Sequence, residues 1–586
     1  MYMNNKEKDI LNNIMLKPFI SQRVLANESG CSLGMVNKSI KELIKAGYLD
    51  DKIQPTNKAK IIFKENVPKR AIILAAGFGM RMVPINMETP KGLITINKEP
   101  LIERIIKQLH EVDIKEIYVV VGFMKESYEY LIDEYNVELI VNTEYRDKNN
   151  LHSLKLASDH LNNAYVIPCD VWCKKNPFRK HEPYSWYMVS NLKDEESTVR
   201  INRQMNLVKI KGDFVGNTMI GISYFSSEDA IDVSKRINKF SKDIKYDDSF
   251  WEEALFYSDK STIAARLVSS EDVCEINTYE QLREIDCDSN QLKNDAIQII
   301  CDALNVNERD ITGITVLKKG MTNRSFLFSC KNKRYIMRIP GEGTDQLINR
   351  KHEADVYHVV KDKNICDDIA YINPDNGYKI TEFLDNARVC DPMNDNDVKK
   401  CMKILRNFHD MNLKVEHEFN IFEQIEFYEK LWHGAKSAYR DYEETKEHVL
   451  SLKSYINAHV NRKSLTHIDA NPDNFMFIKR NGKEEIRLID WEYAGMQDPH
   501  VDIAMFCIYS FYNRQQVDQL IDDYFSEGCD DSTRIKIYCY ISSCGLLWSN
   551  WCEYKRSLGE EFGEYSLRQY RYAKEYYRIV QEELEK

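Results

Sequence analysis

The sequence predicts a multidomain α/β protein, and three successive textures along the chain predict it. Short amphipathic helices and a small β-wing open the chain, apolar strands alternating with helices follow, and a second mixed unit ends in a helix-rich, aromatic-rich region. Alternation of the middle kind calls for a mostly parallel sheet covered by helices. At 586 residues the chain is too long for one hydrophobic core. The changes divide it into residues 1–67, 68–287 and 288–586.

Hydrophobic residues make up 43% of the chain and charged residues 30%, which excludes wholesale disorder. No apolar run reaches the roughly 18–20 residues that span a bilayer, and the opening MYMNNKEKDI lacks the pattern of a signal peptide. The expected location is therefore the cytoplasm, with no membrane insertion. The 15 cysteines are scattered through apolar segments and read as small buried hydrophobes; Cys169 and Cys173 lie four apart with no second pair at zinc-ligand spacing. Residues 1–68 hold 11 Lys and Arg against 7 Asp and Glu, a net +4, whereas the whole chain is −11, so the remainder is −15. That balance disfavours nucleic-acid binding by the chain as a whole and confines it to the opening module.

In that module, amphipathic patterns over 8–16, 21–29 and 32–46 predict three helices. Ser21 and Ser32 are placed to cap the second and third, and Gly30 and Gly47 to close them in a left-handed conformation. Strand-like pieces at 48–50 and 54–56 would make a wing. The arrangement resembles a winged helix-turn-helix domain with 32–46 in the recognition position. That helix offers Lys38, Lys41 and Lys45 but no Arg to read guanine edges, so contact with DNA and contact with protein both stay open.

Past a linker at 67–70, the strand 71–76 (AIILAA) runs into Gly77-Phe78-Gly79-Met80-Arg81-Met82, with Pro90-Lys91 beyond. A glycine turn after a strand lets backbone N–H groups close on phosphate oxygens, and Arg81 and Lys91 supply positive charge for a triphosphate. A helix at 101–111 and strands at 117–122, 138–142 and 165–168 continue the pattern. The string LAAGFGMRM…PKGL resembles the nucleotidyltransferases that activate sugar phosphates and phosphocholine, and best the phosphocholine cytidylyltransferases. The resemblance implies a Rossmann-like domain that takes CTP, binds nucleotide at Ala75, Ala76, Gly77, Phe78 and Gly79, and uses Arg81 and Lys91 in catalysis. It also implies Mg²⁺ held by Asp170, at the end of VIPCD, and by the third residue of Glu275-Ile276-Asn277. Here that residue is Asn277, a weaker neutral donor. Asn149-Asn150 with Ser153-Leu154 resembles a family segment that touches nucleotide and substrate. A trimethylammonium wants aromatic faces, and Trp172 and Trp251 are the aromatic candidates.

The last segment carries His467-Ile468-Asp469-Ala470-Asn471-Pro472-Asp473-Asn474 and, 16 residues later, Asp490. Phosphoryl transfer needs a carboxylate beside the attacking hydroxyl, for which Asp469 is placed, and oxygen ligands for Mg²⁺, for which Asn474 and Asp490 are placed. The spacing resembles the choline and aminoglycoside phosphotransferases, which implies a protein-kinase-like bilobal fold that uses ATP. Thr322 and Asn323 fall in a phosphate-covering hairpin. Arg338 stands where protein kinases have lysine, as in choline kinases, with Glu353 as its partner, and Glu382 and Leu384 fall at the adenine hinge. Trp548 and Trp551 share one helix face; with Trp491 and Glu492 they are the candidates for binding choline.

Together the resemblances imply a bifunctional enzyme that makes phosphocholine from choline and ATP and then CDP-choline from phosphocholine and CTP. Two other readings are a sugar-1-phosphate nucleotidyltransferase fused to a sugar- or aminoglycoside-type kinase, and a winged-helix regulator that senses choline metabolites.

Overall fold

The computed structural model describes residues 3–65, 67–195, 197–210, 215–256, 263–317, 323–341, 347–480 and 482–586. It forms two compact units, Met1–Gln298 and Ile299–Lys586. All 15 cysteines are free thiols.

The first unit opens with α1 (Asn5–Leu16), α2 (Gln22–Ser29) and α3 (Leu33–Lys45) around a core that includes Ile10, Val36, Ile40 and Leu43. The expected caps are made: Ser21 Oγ accepts from Val24 N, Ser32 Oγ accepts from Met35 N, and Gly30 ends α2 at φ 62°. The wing shrinks to one bridge between Leu49 and Pro55, and a helix that the sequence reading omitted, α4 (Asn57–Glu65), follows it. This module packs against the segment that leads into the strand beginning at Trp186. Phe63 of α4 stacks on His181 with ring centroids 3.7 Å apart, and the Tyr184 hydroxyl lies 3.0 Å from both carboxylate oxygens of Asp9 on α1.

The part of the first unit that follows comprises β1 (Arg70–Ala75), β2 (Thr95–Ile96), β3 (Glu99–Pro100), α5 (Leu101–Glu111), β4 (Glu116–Val121), α6 (Tyr130–Tyr135), β5 (Glu138–Val141), α7 (Asn150–Leu156), β6 (Ala164–Pro168), β7 (Val171–Cys173), β8 (Trp186–Asp194), β9 (Val199–Ile201), β10 (Asn206–Lys209), β11 (Gly216–Phe225), α8 (Ser227–Phe240), β12 (Ile263–Val268), β13 (Val273–Glu275) and α9 (Tyr279–Ile285). Nine strands join in the order β5-β4-β1-β6-β11-β8-β12-β10-β9. The pairs β5-β4, β4-β1, β1-β6 and β8-β12 are parallel; the other four are antiparallel. The sheet is thus mixed in equal parts, where the sequence suggested mostly parallel. The difference arises beyond β6, where β9 and β10 are joined by a turn too short for the crossover that parallel pairing requires.

Alternation along β1 sets the two faces. Ala71, Ile73 and Ala75 join a core with Ile102, Ile105 and Leu109 of α5, while Ile72, Leu74 and Ala76 join one with Leu151 and Leu154 of α7 and Val233 of α8. Behind the first face lies Glu182, fully buried. Its carboxylate accepts from Arg266 Nη1 at 2.9 Å and Nη2 at 2.5 Å, from Trp186 Nε1 at 3.0 Å and from the Tyr165 hydroxyl at 2.8 Å. A buried charge is tolerable when its acceptor sites are filled in this way.

The second unit begins within α10 (Asp295–Leu304). Its upper lobe comprises β14 (Thr312–Val316), β15 (Asn323–Cys330), β16 (Lys333–Pro340), α11 (Arg350–Val360), β17 (Ile369–Ile372) and β18 (Lys379–Glu382), with an antiparallel sheet in the order β14-β15-β16-β18-β17. Its lower lobe comprises β19 (Arg388–Val389), α12 (Asp395–Asp410), α13 (Ile421–Lys430), α14 (Tyr442–Ser451), α15 (Lys453–His459), β20 (Ser464–Thr466), β21 (Phe475–Arg480), β22 (Lys483–Leu488), β23 (Gly495–Gln497), α16 (His500–Tyr509), α17 (Arg514–Tyr524), α18 (Asp531–Ser557) and α19 (Glu564–Leu584). Among the described residues no helix is long and apolar enough to cross a membrane.

Helix α19 lies against α18 at Gly545 with no room for a side chain. A Cβ added there would lie 2.7 Å from Gln569 O and 2.9 Å from Ala573 N, both backbone atoms that cannot swing aside. Gly545→Ala should therefore destabilise the second unit by about 1–3 kcal/mol, the usual range for overpacking. Thermal unfolding measures it, and a variant as stable as the parent would show that the two helices separate freely.

Candidate active sites

In the first unit, β1 ends at Ala75 and hands over to the glycine turn. Ala76 O accepts from Phe123 N at 3.1 Å, and Gly79 sits at φ 62°, where a side chain would be strained. The Phe78 ring packs on Phe123 and Tyr145, with centroids 4.5 and 5.3 Å away, which anchors the turn. Four of the expected residues come together beside it. Lys91 Nζ donates to Asp170 Oδ2 and, at 2.6 Å, to Asn277 Oδ1; Arg81 Nη2 donates to the same amide oxygen at 3.2 Å. Pairing of β13 with β7 brings the distant part of the chain in, with Ile276 N donating to Asp170 O at 2.9 Å.

The sequence reading missed Glu275. Its Oε2 accepts from Asn277 Nδ2 at 2.8 Å, and burial together with the neighbouring Asp170 charge pushes its carboxyl up to about 8. The signal was present: residues i and i+2 at a strand end share a face. Asp170 Oδ1 is buried with no hydrogen-bond partner among the described residues, and an ammonium stands between Asp170 and Asn277. This pair of oxygen donors fits a divalent cation.

The two tryptophans proposed for this half differ. Trp251 is 1% exposed and packs against Tyr187 and Phe225 in the core. Trp172 is half-buried and carries the Arg104 guanidinium on one ring face, 4.2 Å from its centroid. Asn149 and Asn150 brace the segment around Trp251. Asn149 Nδ2 donates to Asp248 O at 3.0 Å, and Asn150 Oδ1 accepts from Trp251 N at 2.8 Å.

In the second unit a cavity of about 920 Å³ lies between the two lobes, walled by Arg338, Asp469, Asn474, Asp490, Trp548 and Trp551 among others. Arg338 forms a two-pronged pair with Glu353, Nη1 to Oε1 at 2.5 Å and Nη2 to Oε2 at 2.7 Å. Arg350 Nη1 donates to Glu353 Oε2 at 3.2 Å and Lys379 Nζ to Oε1 at 3.3 Å. Burial works to raise the Glu353 carboxyl, but the charges of Lys379 and Arg338 outweigh it and hold the group down at about 2.

Asp469 is oriented by Asn474 Nδ2, which donates to its Oδ2 at 2.9 Å and leaves the amide oxygen to face a cation. Burial, then the nearby Asp490 charge, push Asp469 up to about 7. Two carboxylates this close call for a counter-charge, and Mg²⁺ fits. Beneath them the fully buried Asp502 accepts from His467 N at 2.9 Å and Ile468 N at 2.7 Å, which fixes the strained loop where Ile468 has φ 70°. Asp502 was not foreseen; it is an acidic residue in an otherwise apolar helix.

Trp548 and Trp551 stand edge to face, centroids 5.7 Å apart, and the wall continues through Tyr493, Tyr509 and Phe562. Trp491 does not join them. It is fully buried against Phe408 and His467, its Nε1 donating to Leu488 O at 2.8 Å, because it follows a strand end that turns inward. Glu492 lines the cavity with its carboxylate 3.4 Å from Arg350 and 3.7 Å from Arg338, yet burial and then the Asp490 charge push its carboxyl up to about 7. At the hinge, Glu382 N donates to Asp368 O at 2.8 Å, which commits that amide to the fold, and Thr381 is the strand residue on the cavity wall. Leu384 lies two residues past the end of β18. Thr322 lies outside the described residues, and Asn323 begins β15.

Three family models match the chain: choline/ethanolamine kinase over residues 314–528, MobA-like NTP transferase domain over 71–177, and winged helix-turn-helix DNA-binding over 3–50. The choline-phosphate cytidylyltransferase of Streptococcus pneumoniae is 31% identical over 221 residues, 37% of this chain and 96% of that protein. The 2-aminoethylphosphonate cytidylyltransferase of Lancefieldella rimae is 31% identical over 232 residues, 37% of this chain and 91% of that protein. A crystal structure of choline kinase LicA from Streptococcus pneumoniae is 29% identical, with 48% of this chain and 98% of that one covered and a TM-score of 0.42.

Replacing Glu353 with Ala should lower the stability of the second unit by about 3–5 kcal/mol, since Arg338 and Lys379 would stay buried without the carboxylate they share. The unfolding transition of that unit reports it; an unshifted transition would mean that these cations re-pair at little cost.

Proposed function

We propose, for a chain that belongs to the choline-phosphate cytidylyltransferase family and carries a choline/ethanolamine kinase domain and a winged helix-turn-helix, that it performs two consecutive transfers. The second unit phosphorylates choline with ATP, and the first transfers CMP from CTP to phosphocholine, releasing pyrophosphate and CDP-choline. The observation that carries this reading is the aromatic wall beside Asp469. Trp548, Trp551, Tyr493 and Tyr509 present π faces, which suit a quaternary ammonium that cannot donate hydrogen bonds.

In this reading Asp469 accepts the proton of the substrate hydroxyl, a role suited to a carboxyl raised to about 7. Arg338, held by Glu353, presents its charge to the ATP phosphates. In the first unit Arg81 and Lys91 stabilise the charge that develops on the transferred phosphorus centre. Mg²⁺ would be held by Asn474 and Asp490 in one site and by Asp170 and Asn277 in the other, and when bound it neutralises phosphate charge. Lys38, Lys41 and Lys45 are exposed on α3, which leaves that helix available for DNA or a protein.

A second reading concerns the acceptor of CMP. A relative of equal identity is named for 2-aminoethylphosphonate, so a phosphonate bearing a primary amine is the alternative substrate. Supplying phosphocholine, phosphoethanolamine and 2-aminoethylphosphonate in turn with CTP and Mg²⁺ separates the two by the mass of the product; we expect CDP-choline to form fastest.

Asp469→Asn should abolish phosphocholine formation from choline and ATP while CMP transfer to supplied phosphocholine continues. Arg81→Ala or Asp170→Ala should do the reverse, so that phosphocholine accumulates. Loss of both activities in a folded single variant would sink the two-site assignment.

Replacing both Trp548 and Trp551 with Leu keeps apolar bulk and removes the π faces, each worth roughly 0.5–2 kcal/mol to a bound cation. The KM for choline should rise on the order of tenfold or more, with that for ATP nearly constant. The kcat/KM ratio of choline to ethanolamine should fall; an unchanged ratio would make these residues core alone.

A further inference from the structure

We propose that Lys379 is a positioning residue for the transfer in the second unit: by sharing the Glu353 carboxylate, it lets Arg338 turn part of its guanidinium to the nucleotide phosphates without leaving Glu353 unpaired. The inference rests on the kinase reading of that site.

Arg338 of β16 and Lys379 of β18 are partners in the strand register, so two cations stand side by side on neighbouring strands. Like charges directly opposite each other destabilise a sheet, and both residues are buried, Arg338 with 5% and Lys379 with 6% of its surface exposed. One cation would be enough to pair Glu353. A second one, set against like charge, is explained by what the first has to do. Arg338 commits Nη1 and Nη2 to the two oxygens of Glu353, at 2.5 and 2.7 Å, and Nη2 also donates to Gly377 O at 3.0 Å. Its Nε is buried with no hydrogen-bond partner among the described residues. A nucleotide phosphate that draws on this guanidinium competes with Glu353 for it, and removing the partner of a buried carboxylate is strongly destabilising.

Lys379 is placed to relieve that competition. Its Nζ donates to Glu353 Oε1 at 3.3 Å and to the Tyr357 hydroxyl at 2.9 Å, and that hydroxyl donates to Asp367 Oδ1 at 3.2 Å. Glu353 and Tyr357 lie one turn apart on a single face of α11, so one ammonium pins the helix at two points. Burial works to raise the Glu353 carboxyl, and among the charges that draw it down Lys379 comes ahead of Arg338. Lys379 and Asp367 also line the cavity with Arg338. From the neighbouring strand the lysine thus keeps Glu353 ionised and α11 in place while Arg338 turns toward a ligand.

The test compares Lys379→Met with Lys379→Arg in the full chain, each made with Glu353 retained and with Glu353→Gln. The readout is calorimetric affinity for ADP with Mg²⁺ and for adenosine, with CTP present to occupy the first unit and no acceptor added. With Glu353 retained, Lys379→Met should weaken ADP binding about tenfold, the size of one lost charge-assisted contact. Adenosine binding should stay unchanged, because only phosphates compete for Arg338. Lys379→Arg keeps a cation on the carboxylate and should restore most of the ADP affinity. In the Glu353→Gln background, Lys379→Met should change ADP affinity by no more than about twofold, as for uncoupled sites, because no carboxylate is left to hold. An equal loss in both backgrounds would overturn the proposal, since Lys379 would then touch the phosphates itself. A matching loss of adenosine affinity would overturn it too, since the lysine would then support the whole pocket, and so would no loss at all. Thermal unfolding checks that each variant is folded. If Lys379→Met fails that check, Tyr357→Phe, which frees the ammonium from its second anchor, should weaken ADP but not adenosine, and an unchanged ADP affinity there overturns the proposal. Because no acceptor is present, an error about the acceptor leaves this test standing, whereas a parent chain that binds no ADP overturns the kinase reading and this proposal with it.

Discussion

Glu353 is a carboxylate with almost no exposed surface, and such a group stays ionised only where cations stand against it. Arg338 from β16, Lys379 from β18 and Arg350 from the start of α11 all reach it. The upper lobe of the second unit is organised around that requirement. Two neighbouring strands and the helix beside them are tied through one side chain, and Glu492 is drawn toward the same arginines from the segment after Asp490. The cavity therefore inherits a floor in which opposite charges are already matched. What remains unmatched in it is the pair Asp469 and Asp490, and that is where a metal–nucleotide complex has its place.

The first unit meets the same constraint twice. Glu182 is satisfied completely by Arg266, Trp186 and Tyr165, and it is inert for that reason. Lys91, Asp170, Asn277 and Glu275 are satisfied only partly: one ammonium serves two oxygens, and one carboxylate oxygen has no described partner. Full pairing makes a structural anchor and incomplete pairing makes a site that can accept a further charge. Arg104 lies over one face of Trp172 and is itself bound to Cys173 O and Glu99, which fixes the guanidinium on that ring.

Much of the fold was legible along the chain. The apolar run 71–76 was read as a strand, which β1 is, and serine and glycine marked the ends of α2. Helix α4 was not legible, because it shows a single fully buried residue, Ala59, and its half-buried Phe63 is covered by stacking on His181 from a distant segment. The antiparallel half of the sheet was lost for a similar reason: strand direction depends on which partner a strand finds, and β11 finds β6 and β8.

The sequence by itself determined the classes of domain, the glycine turn, the loop of Asp469 and Asn474, and the Trp548–Trp551 face. Each of these is a local pattern with a period or spacing imposed by the backbone. Only the tertiary structure decided which charges compensate one another. It set Lys91 between Asp170 and Asn277, residues 79 and 186 positions away, and joined Glu275 to the Asn277 amide. It gave Glu492 to arginines and put Trp491 and Trp251 in the core. The physical reason is that a side chain's role follows from which neighbours share its buried volume, and those neighbours come from strand pairing and lobe packing that no local pattern encodes.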